Sequence, residues 1–150
     1  MYFTEQWTGA NGTFGEDLIW HIKNVIIGST RNWSKVALEW NLANDPAYKP
    51  HTPGGCTQCK GAYTIDKNIS VKNVSYYIIA HASRFVSAGA KRVKSTDIDK
   101  IHHVVFLRKD GKKAMIAANE TENNEIFNIE LNGKKAIMSL PAKSVATFVW

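Results

Sequence analysis

The chain has 150 residues, of which 44% are hydrophobic and 21% charged, and its formal net charge is +6. This length fits about one domain with a substantial buried core, and no run of about 18 apolar residues is present to span a membrane. The positive side chains are spread from Lys23 to Lys143 without a basic helix face or an aromatic RNA-binding motif, so the charge predicts a solvated surface and no nucleic-acid partner.

The first predicted element is an aromatic strand that runs into a carboxylate. Tyr2 to Thr4 have the residue types that strands favour, Glu5 follows at the predicted C-terminal end, and Gly9 breaks the pattern. Barrel enzymes carry their chemistry at the C-terminal ends of strands, which makes Glu5 a candidate functional residue. The alternative is a solvated glutamate at a strand end.

A helix and a second strand follow. Apolar residues at helical spacing predict a helix of about four turns that ends near Gly28, and residues 36–42 then predict a strand too apolar to have one wet face. Strand, helix and strand form a βαβ unit, whose two strands are parallel with a right-handed crossover. This unit would place Glu5 and Trp40 side by side. Glu39 precedes Trp40 and should face the opposite way, where we expect a salt bridge or hydrogen bond.

Residues 44–72 are rich in Pro, Gly and polar residues and predict a long functional loop or lid. The loop contains Cys56 and Cys59, for which three states are open. A redox dithiol would open a helix after a strand, and a zinc site would need two further ligands, for which His51 and His81 are the candidates. A local disulfide that stiffens the loop is preferred, and it favours an oxidising compartment.

The remainder of the chain predicts one helix and then only strands. The helix has Asn73 as its N-cap and Gly89 as its C-terminal glycine, and His81 lies on its apolar face as a core histidine. After Gly89 the hydrophobic period changes to two, which predicts an antiparallel sheet or sandwich and a division into residues 1–89 and 90–150. The predicted strands are Lys91–Ser95, Ile101–Arg108, Lys113–Ala118, Glu125–Leu131, Lys135–Leu140 and Val145–Trp150.

Several of these segments, taken in order, resemble the C-terminal part of glycoside hydrolase family 30, which includes glucosylceramidases and endo-β-1,6-glucanases. The resemblance covers essentially the whole chain. It is carried by Phe3-Thr4-Glu5, Val36-Ala37-Leu38-Glu39-Trp40-Asn41-Leu42-Ala43, Gly54-Gly55-Cys56, Tyr76-Tyr77, Ser83-Arg84-Phe85-Val86, Gly89 and Ser144-Val145-Ala146-Thr147-Phe148-Val149-Trp150.

The resemblance implies a mixed fold class, α/β plus all-β. Residues 1–89 would be the last two βα units of a (β/α)8 TIM barrel, and residues 90–150 an antiparallel β-sandwich domain. A complete barrel takes about 250 residues, so the chain is expected to be a piece of a larger enzyme. Two barrel strands leave apolar edges exposed, which predicts self-association or pairing with the missing N-terminal half of the barrel.

The resemblance also implies a function, a retaining β-glycosidase acting on glucosylceramide- or β-1,6-glucan-type substrates without a cofactor or metal. Glu5 would be the nucleophile and Trp40 a wall of the sugar subsite, with Trp7, Asn41 and His51 as further substrate contacts. The acid/base glutamate would lie in upstream sequence, so the isolated chain is expected to be inactive. The protein is expected to be secreted, periplasmic or at the cell surface. The alternative is a non-catalytic carbohydrate-binding or assembly module.

Overall fold

The computed structural model describes residues 1–150. The first half begins with a parallel pair of strands, β1 (Phe3–Gly9) and β2 (Ala37–Trp40), as the βαβ prediction requires. Helix α1 (Phe14–His21) lies between them, and Thr13 caps it by accepting a hydrogen bond from the amide of Glu16. A π-helical segment (Ile22–Gly28) and helix α2 (Ser29–Arg31) continue α1, so the helical region ends three residues beyond the predicted Gly28.

The segment predicted as a continuous loop contains four short strands. They are β3 (Ala43–Asn44), β4 (Cys59–Lys60), β5 (Tyr63–Asp66) and β6 (Ile69–Lys72), and β5 and β6 form an antiparallel hairpin. The turn of this hairpin uses Lys67 at φ 52° instead of a glycine. The usual sequence signal of a tight hairpin turn is therefore absent, which explains why the prediction missed it.

Helix α3 (Val74–Ser83) begins after Asn73 as predicted, but it ends six residues before Gly89. Gly89 has φ 86° and lies in a separate turn that is closed by a hydrogen bond from the Ala90 amide to the Ser87 carbonyl. Gly89 is therefore a turn residue, and the prediction that it caps α3 is wrong.

The second half is entirely antiparallel. Its strands are β7 (Lys91–Val93), β8 (Ile101–Leu107), β9 (Lys113–Asn119), β10 (Glu125–Leu131), β11 (Lys134–Leu140) and β12 (Ser144–Val149). Four of them form a sheet in the order β12-β9-β8-β7, and β10 and β11 form a separate hairpin. The predicted all-β, sandwich-like region is thus confirmed, with each strand found within a few residues of its predicted bounds.

The four-stranded sheet is covered on both faces, which makes it the centre of the molecule. Val104 and Ile116 pack on one face against Ile22 and Ile78 of the helical layer. The opposite face packs against the β10–β11 hairpin through residues that include Val105, Met115, Phe127 and Leu140. Burying a side chain of this size stabilises the fold by about 1.5–3 kcal/mol. Helices and hairpin are therefore held to one shared sheet.

A TIM barrel is not present in this chain. The parallel pair belongs to a three-stranded sheet in the order β2-β1-β4, and the outer edge of β2 has no partner strand. Leu38 of β2 is exposed, and so is Leu42, which follows the strand. None of the helices is both long enough and apolar enough to cross a lipid bilayer.

Candidate functional site

Glu5 lies in the middle of β1 and not at its end. The prediction placed the end of the strand at Glu5, but Trp7 still pairs with β2, and Gly9 pairs with β4. The pairing of β1 with β2 is irregular at this point. From the pair Phe3–Ala37 to the next pair, Gln6–Glu39, the chain advances three residues along β1 but only two along β2. Glu5 therefore lies in a β-bulge, a device that re-aims side chains.

The bulge changes which face of the strand pair the residues of β1 project to. Phe3 packs against the helical core, and the buried Thr8 places its Oγ1 2.7 Å from Ser75 Oγ on α3. These two positions are five residues apart, so strict alternation would put them on opposite faces of β1. The extra residue lets both face the helices. Trp7, which precedes Thr8, projects to the opposite face, and Glu5 is exposed within the bulge.

Trp40 shares that exposed face with Trp7. Trp7 and Trp40 are register partners in the parallel pair, and their side chains are 43% and 46% exposed. Partners in a parallel ladder project to the same side of a sheet. The structure therefore brings two indole rings to one face of the strand pair, and the exposed Glu5 lies two positions before Trp7 on β1.

A cavity of about 310 Å³ opens beside Trp40. Asn41 and His51, which the sequence also singled out, line it together with Tyr48 and the two cysteines. Glu5 and Trp7 are not among the lining residues. Of the predicted site residues, Trp40, Asn41 and His51 therefore line the cavity, and Glu5 and Trp7 lie outside it on β1. Tyr48, which lies at φ 62° in a turn of the polar loop, was not predicted from the sequence. The one sequence signal for it was the presence of an aromatic residue in a polar segment.

Asn41 presents an unsatisfied hydrogen-bond acceptor. Its backbone carbonyl accepts a hydrogen bond of 2.8 Å from the Ala62 amide, and its peptide bond with Trp40 is cis. The side-chain Oδ1 is buried and has no hydrogen-bond partner. An unpaired buried acceptor is costly, so a ligand group or water that donates to Oδ1 would be favoured.

Cys56 and Cys59 form a disulfide with their Cα atoms 5.7 Å apart. Both sulfurs are thus bonded to each other, which leaves neither free to act as a dithiol or to bind zinc. The disulfide preferred from the sequence is confirmed. No group of three or more His, Cys, Asp or Glu side chains is placed to hold a metal ion.

Glu39 lies behind the strand pair, as its position next to Trp40 predicted. Its Oε1 is 2.7 Å from His21 Nδ1 on α1, and the two side chains are only 3% and 5% exposed. Glu39 Oε2 is buried without a partner. The pair ties β2 to α1 on the side opposite Trp40, so the expected salt bridge or hydrogen bond is confirmed.

Two other histidines are structural. His81 Nδ1 lies 2.9 Å from Thr147 Oγ1, between α3 and β12, and burial lowers the pKa of His81. Burial also lowers the pKa of His103, whose Nε2 is 3.0 Å from Ser95 Oγ. Both environments favour a neutral imidazole. His81 is hydrogen-bonded as predicted, but it is half-buried and lies outside the fully buried core.

Comparison with known proteins finds similarity to glycoside hydrolases. Residues 89–148 match the model described as the glycosyl hydrolase family 30 beta sandwich domain. The chain is 29% identical over 158 residues to Endo-1,6-beta-D-glucanase neg1 of Aspergillus fumigatus, covering 99% of the chain and 31% of that protein. It is 26% identical over 157 residues to Endo-1,6-beta-D-glucanase BGN16.3 of Trichoderma harzianum, with the same coverage, 99% and 31%.

The fold is also similar to that of a solved endo-beta1,6-glucanase. The TM-score is 0.88 at 30% sequence identity, and the match covers 99% of this chain and 35% of the solved one. The chain thus spans about one third of the length of the proteins that it matches.

Proposed function

Since this chain corresponds to the C-terminal part of glycoside hydrolase family 30, we propose that it supplies the nucleophile and part of the sugar pocket of a retaining β-glycosidase. In this proposal, residues 1–89 are the last two βα units of the catalytic barrel, and residues 90–150 are the sandwich domain. The enzyme hydrolyses β-glucosidic bonds. The endo-1,6-glucanase relatives favour a β-1,6-glucan over glucosylceramide.

The observation that carries the proposal is the register pairing of two exposed indoles, Trp7 and Trp40, with the exposed Glu5 two positions before Trp7 on β1. In retaining hydrolysis, one carboxylate attacks the anomeric carbon, and a second acts first as acid and then as base from about 5 Å away. Glu5 is proposed to project towards the two indoles and to act as the nucleophile. The acid/base glutamate is proposed to come from a part of the barrel that this chain does not contain.

The cavity beside Trp40 is the proposed sugar subsite. An indole presents a flat apolar face to the C–H groups of a pyranose ring, while polar groups around it select hydroxyls. Asn41 lines this cavity, and its side-chain amide is proposed to contact a sugar hydroxyl. His51 and Tyr48 line the same cavity and supply further polar contacts, and Trp7 extends the aromatic surface towards Glu5.

The open edge of β2 is the proposed contact with the rest of the barrel. Leu38 is exposed there, next to a strand edge with unpaired backbone groups. Such an edge pairs readily with another strand. In the isolated chain, the same edge would promote self-association. The disulfide supports a secreted, periplasmic or cell-surface location, because such bonds persist in oxidising compartments.

The test is complementation. This chain is co-expressed with the first six βα units of the barrel of one of the matched endo-1,6-glucanases, and hydrolysis of a β-1,6-glucan is assayed with the chain alone and with the pair. We expect activity from the pair alone and retention of the β configuration, read by NMR on the first products. Glu5→Gln should abolish the activity, whereas Glu130→Gln, an exposed change on β10, should not. Unchanged activity in Glu5→Gln would remove Glu5 from this role.

A second candidate function is a non-catalytic carbohydrate-binding or assembly module. The observation that favours it is that the cavity beside Trp40 does not include Glu5, so sugar binding and the carboxylate are separable. Under this alternative, the complemented protein binds β-1,6-oligosaccharides through Trp40 but shows no hydrolysis that depends on Glu5. The same assay therefore separates the two functions.

A further inference from the structure

One wall of the cavity is formed by a segment that makes no hydrogen bonds to the rest of the chain. Residues 50–57 make hydrogen bonds only with one another: the Gly55 amide donates to the Thr52 carbonyl at 2.9 Å, and His51 Nδ1 lies 3.3 Å from the same carbonyl. Most of the segment is exposed. Backbone without tertiary hydrogen bonds or buried apolar contacts belongs to the least stable parts of a fold.

The disulfide ties this segment to the sheet. Cys59 is buried in β4, where it pairs with Gly9 of β1, and its carbonyl accepts a hydrogen bond of 2.6 Å from Asn44 Nδ2. Cys56 is at the end of the weakly attached segment, and both cysteines line the cavity. The disulfide therefore links the weakly attached segment 50–57 to β4, a strand that contributes Cys59 to the cavity.

We propose that the Cys56–Cys59 disulfide is a positioning element of this cavity, which holds residues 50–57 against the face of Trp40 and makes ligand affinity dependent on redox state. A wall held in place in the free protein does not have to be ordered on binding, so the ligand is bound more tightly. The choice of a sugar as ligand rests on the proposed function. The anchoring of the segment does not.

The redox step is a thiol–disulfide exchange. A thiolate of dithiothreitol attacks Cys56 Sγ, which is more exposed than its partner, and Cys59 leaves as a thiolate that takes up a proton. The second dithiothreitol thiol then displaces Cys56 from the mixed disulfide. The reagent ends as its cyclic disulfide, and the protein gains two electrons and two protons as two thiols.

The test measures segment mobility and ligand affinity in parallel. Amide hydrogen exchange is followed by mass spectrometry on the full chain, before and after dithiothreitol, and binding of gentiobiose, a β-1,6-linked glucose disaccharide, is titrated by NMR. We expect reduction to speed exchange of the Gly55 amide, the one hydrogen-bonded backbone amide of residues 51–57, by about tenfold or more, with β8 and β9 unchanged. Gentiobiose affinity should fall by about fivefold or more and return on reoxidation.

The matched control is the double variant Cys56→Ser with Cys59→Ser, which should behave like the reduced protein and ignore dithiothreitol. Unchanged exchange of the Gly55 amide on reduction would overturn the proposed anchoring. Faster exchange with unchanged gentiobiose affinity would overturn the positioning role. If the oxidised chain binds no gentiobiose while its exchange still responds to reduction, the sugar assignment fails and the anchoring stands.

Discussion

Trp7 and Trp40 are register partners across the parallel pair of β1 and β2, and both indoles remain nearly half exposed. Singly exposed aromatic side chains are common on protein surfaces, but two register partners on neighbouring strands form one aromatic surface. This surface, with the exposed Glu5 on the same strand as Trp7, is the structural basis of the proposed sugar pocket.

Trp40→Ala is expected to weaken gentiobiose binding by about tenfold, because an aromatic stacking contact and its buried apolar area are lost. The matched control is Trp33→Ala. Trp33 is an exposed tryptophan that stacks with Arg92, 4.0 Å from the ring centroid, outside the cavity. NMR titration of both variants makes the comparison. Equal loss in the two variants, or none in Trp40→Ala, would rule out Trp40 as the sugar wall.

Glu39→Ala is expected to destabilise the fold by about 1–3 kcal/mol, because it leaves the buried His21 without its hydrogen-bond partner and opens a void behind β2. Denaturant unfolding of the chain measures the free energy. Glu130→Ala, at an exposed position on β10, is the control and should change it by less than about 0.5 kcal/mol. A small effect of Glu39→Ala would mean that the His21–Glu39 contact does not hold β2 in place.

His81 should make the fold less stable in mild acid. Burial lowers its pKa in the folded chain, while the unfolded chain has a pKa of about 6.5. As the pH falls through about 6.5, the unfolded chain therefore takes up a proton that the folded chain does not, and the free energy of unfolding decreases. His103 acts in the same direction. His81→Gln should therefore show a shallower loss of stability between about pH 7.5 and 5.5 than the wild type. An identical slope would contradict this contribution.

Self-association through the open edge of β2 is testable with one added charge. Leu38→Lys should shift the isolated chain towards the monomer in sedimentation velocity, because a lysine on an open edge disfavours strand pairing. Ile126→Lys adds the same charge to an exposed apolar position on β10. A monomer produced by Ile126→Lys and not by Leu38→Lys would assign the contact to the hairpin instead of β2.

The sequence predicted the second half of the fold well because its physical signals are local. Period-two alternation and turn residues such as Asp110-Gly111 and Asn132-Gly133 set the bounds of β8 to β12. The pairs β8–β9 and β10–β11 join strands that are adjacent in sequence, whereas β12 pairs with the more distant β9. The signals failed within residues 44–72, where β5 and β6 are joined through Lys67 at positive φ and no glycine marks the turn.

The candidate site was predictable in composition but not in geometry. Glu5, Trp40, Asn41 and His51 follow from residue type and from the order of elements. The β1 bulge could not be predicted, because it depends on how β1 pairs with β2, 34 positions along the chain from Phe3 to Ala37. Tyr48 was missed for a related reason, since only the folded turn brings it to the cavity.

Covalent trapping is the most direct test of Glu5 as the nucleophile. The chain paired with the first six βα units of the barrel is incubated with 2,4-dinitrophenyl 2-deoxy-2-fluoro-β-glucoside, and its peptides are mapped by mass spectrometry. The dinitrophenolate needs no proton to leave, and the fluorine slows hydrolysis of the glycosyl-enzyme. We expect one fluoroglucosyl adduct on Glu5 that is absent in Glu5→Gln. An adduct on another carboxylate, with Glu5 unmodified, would contradict the assignment of Glu5 as the nucleophile.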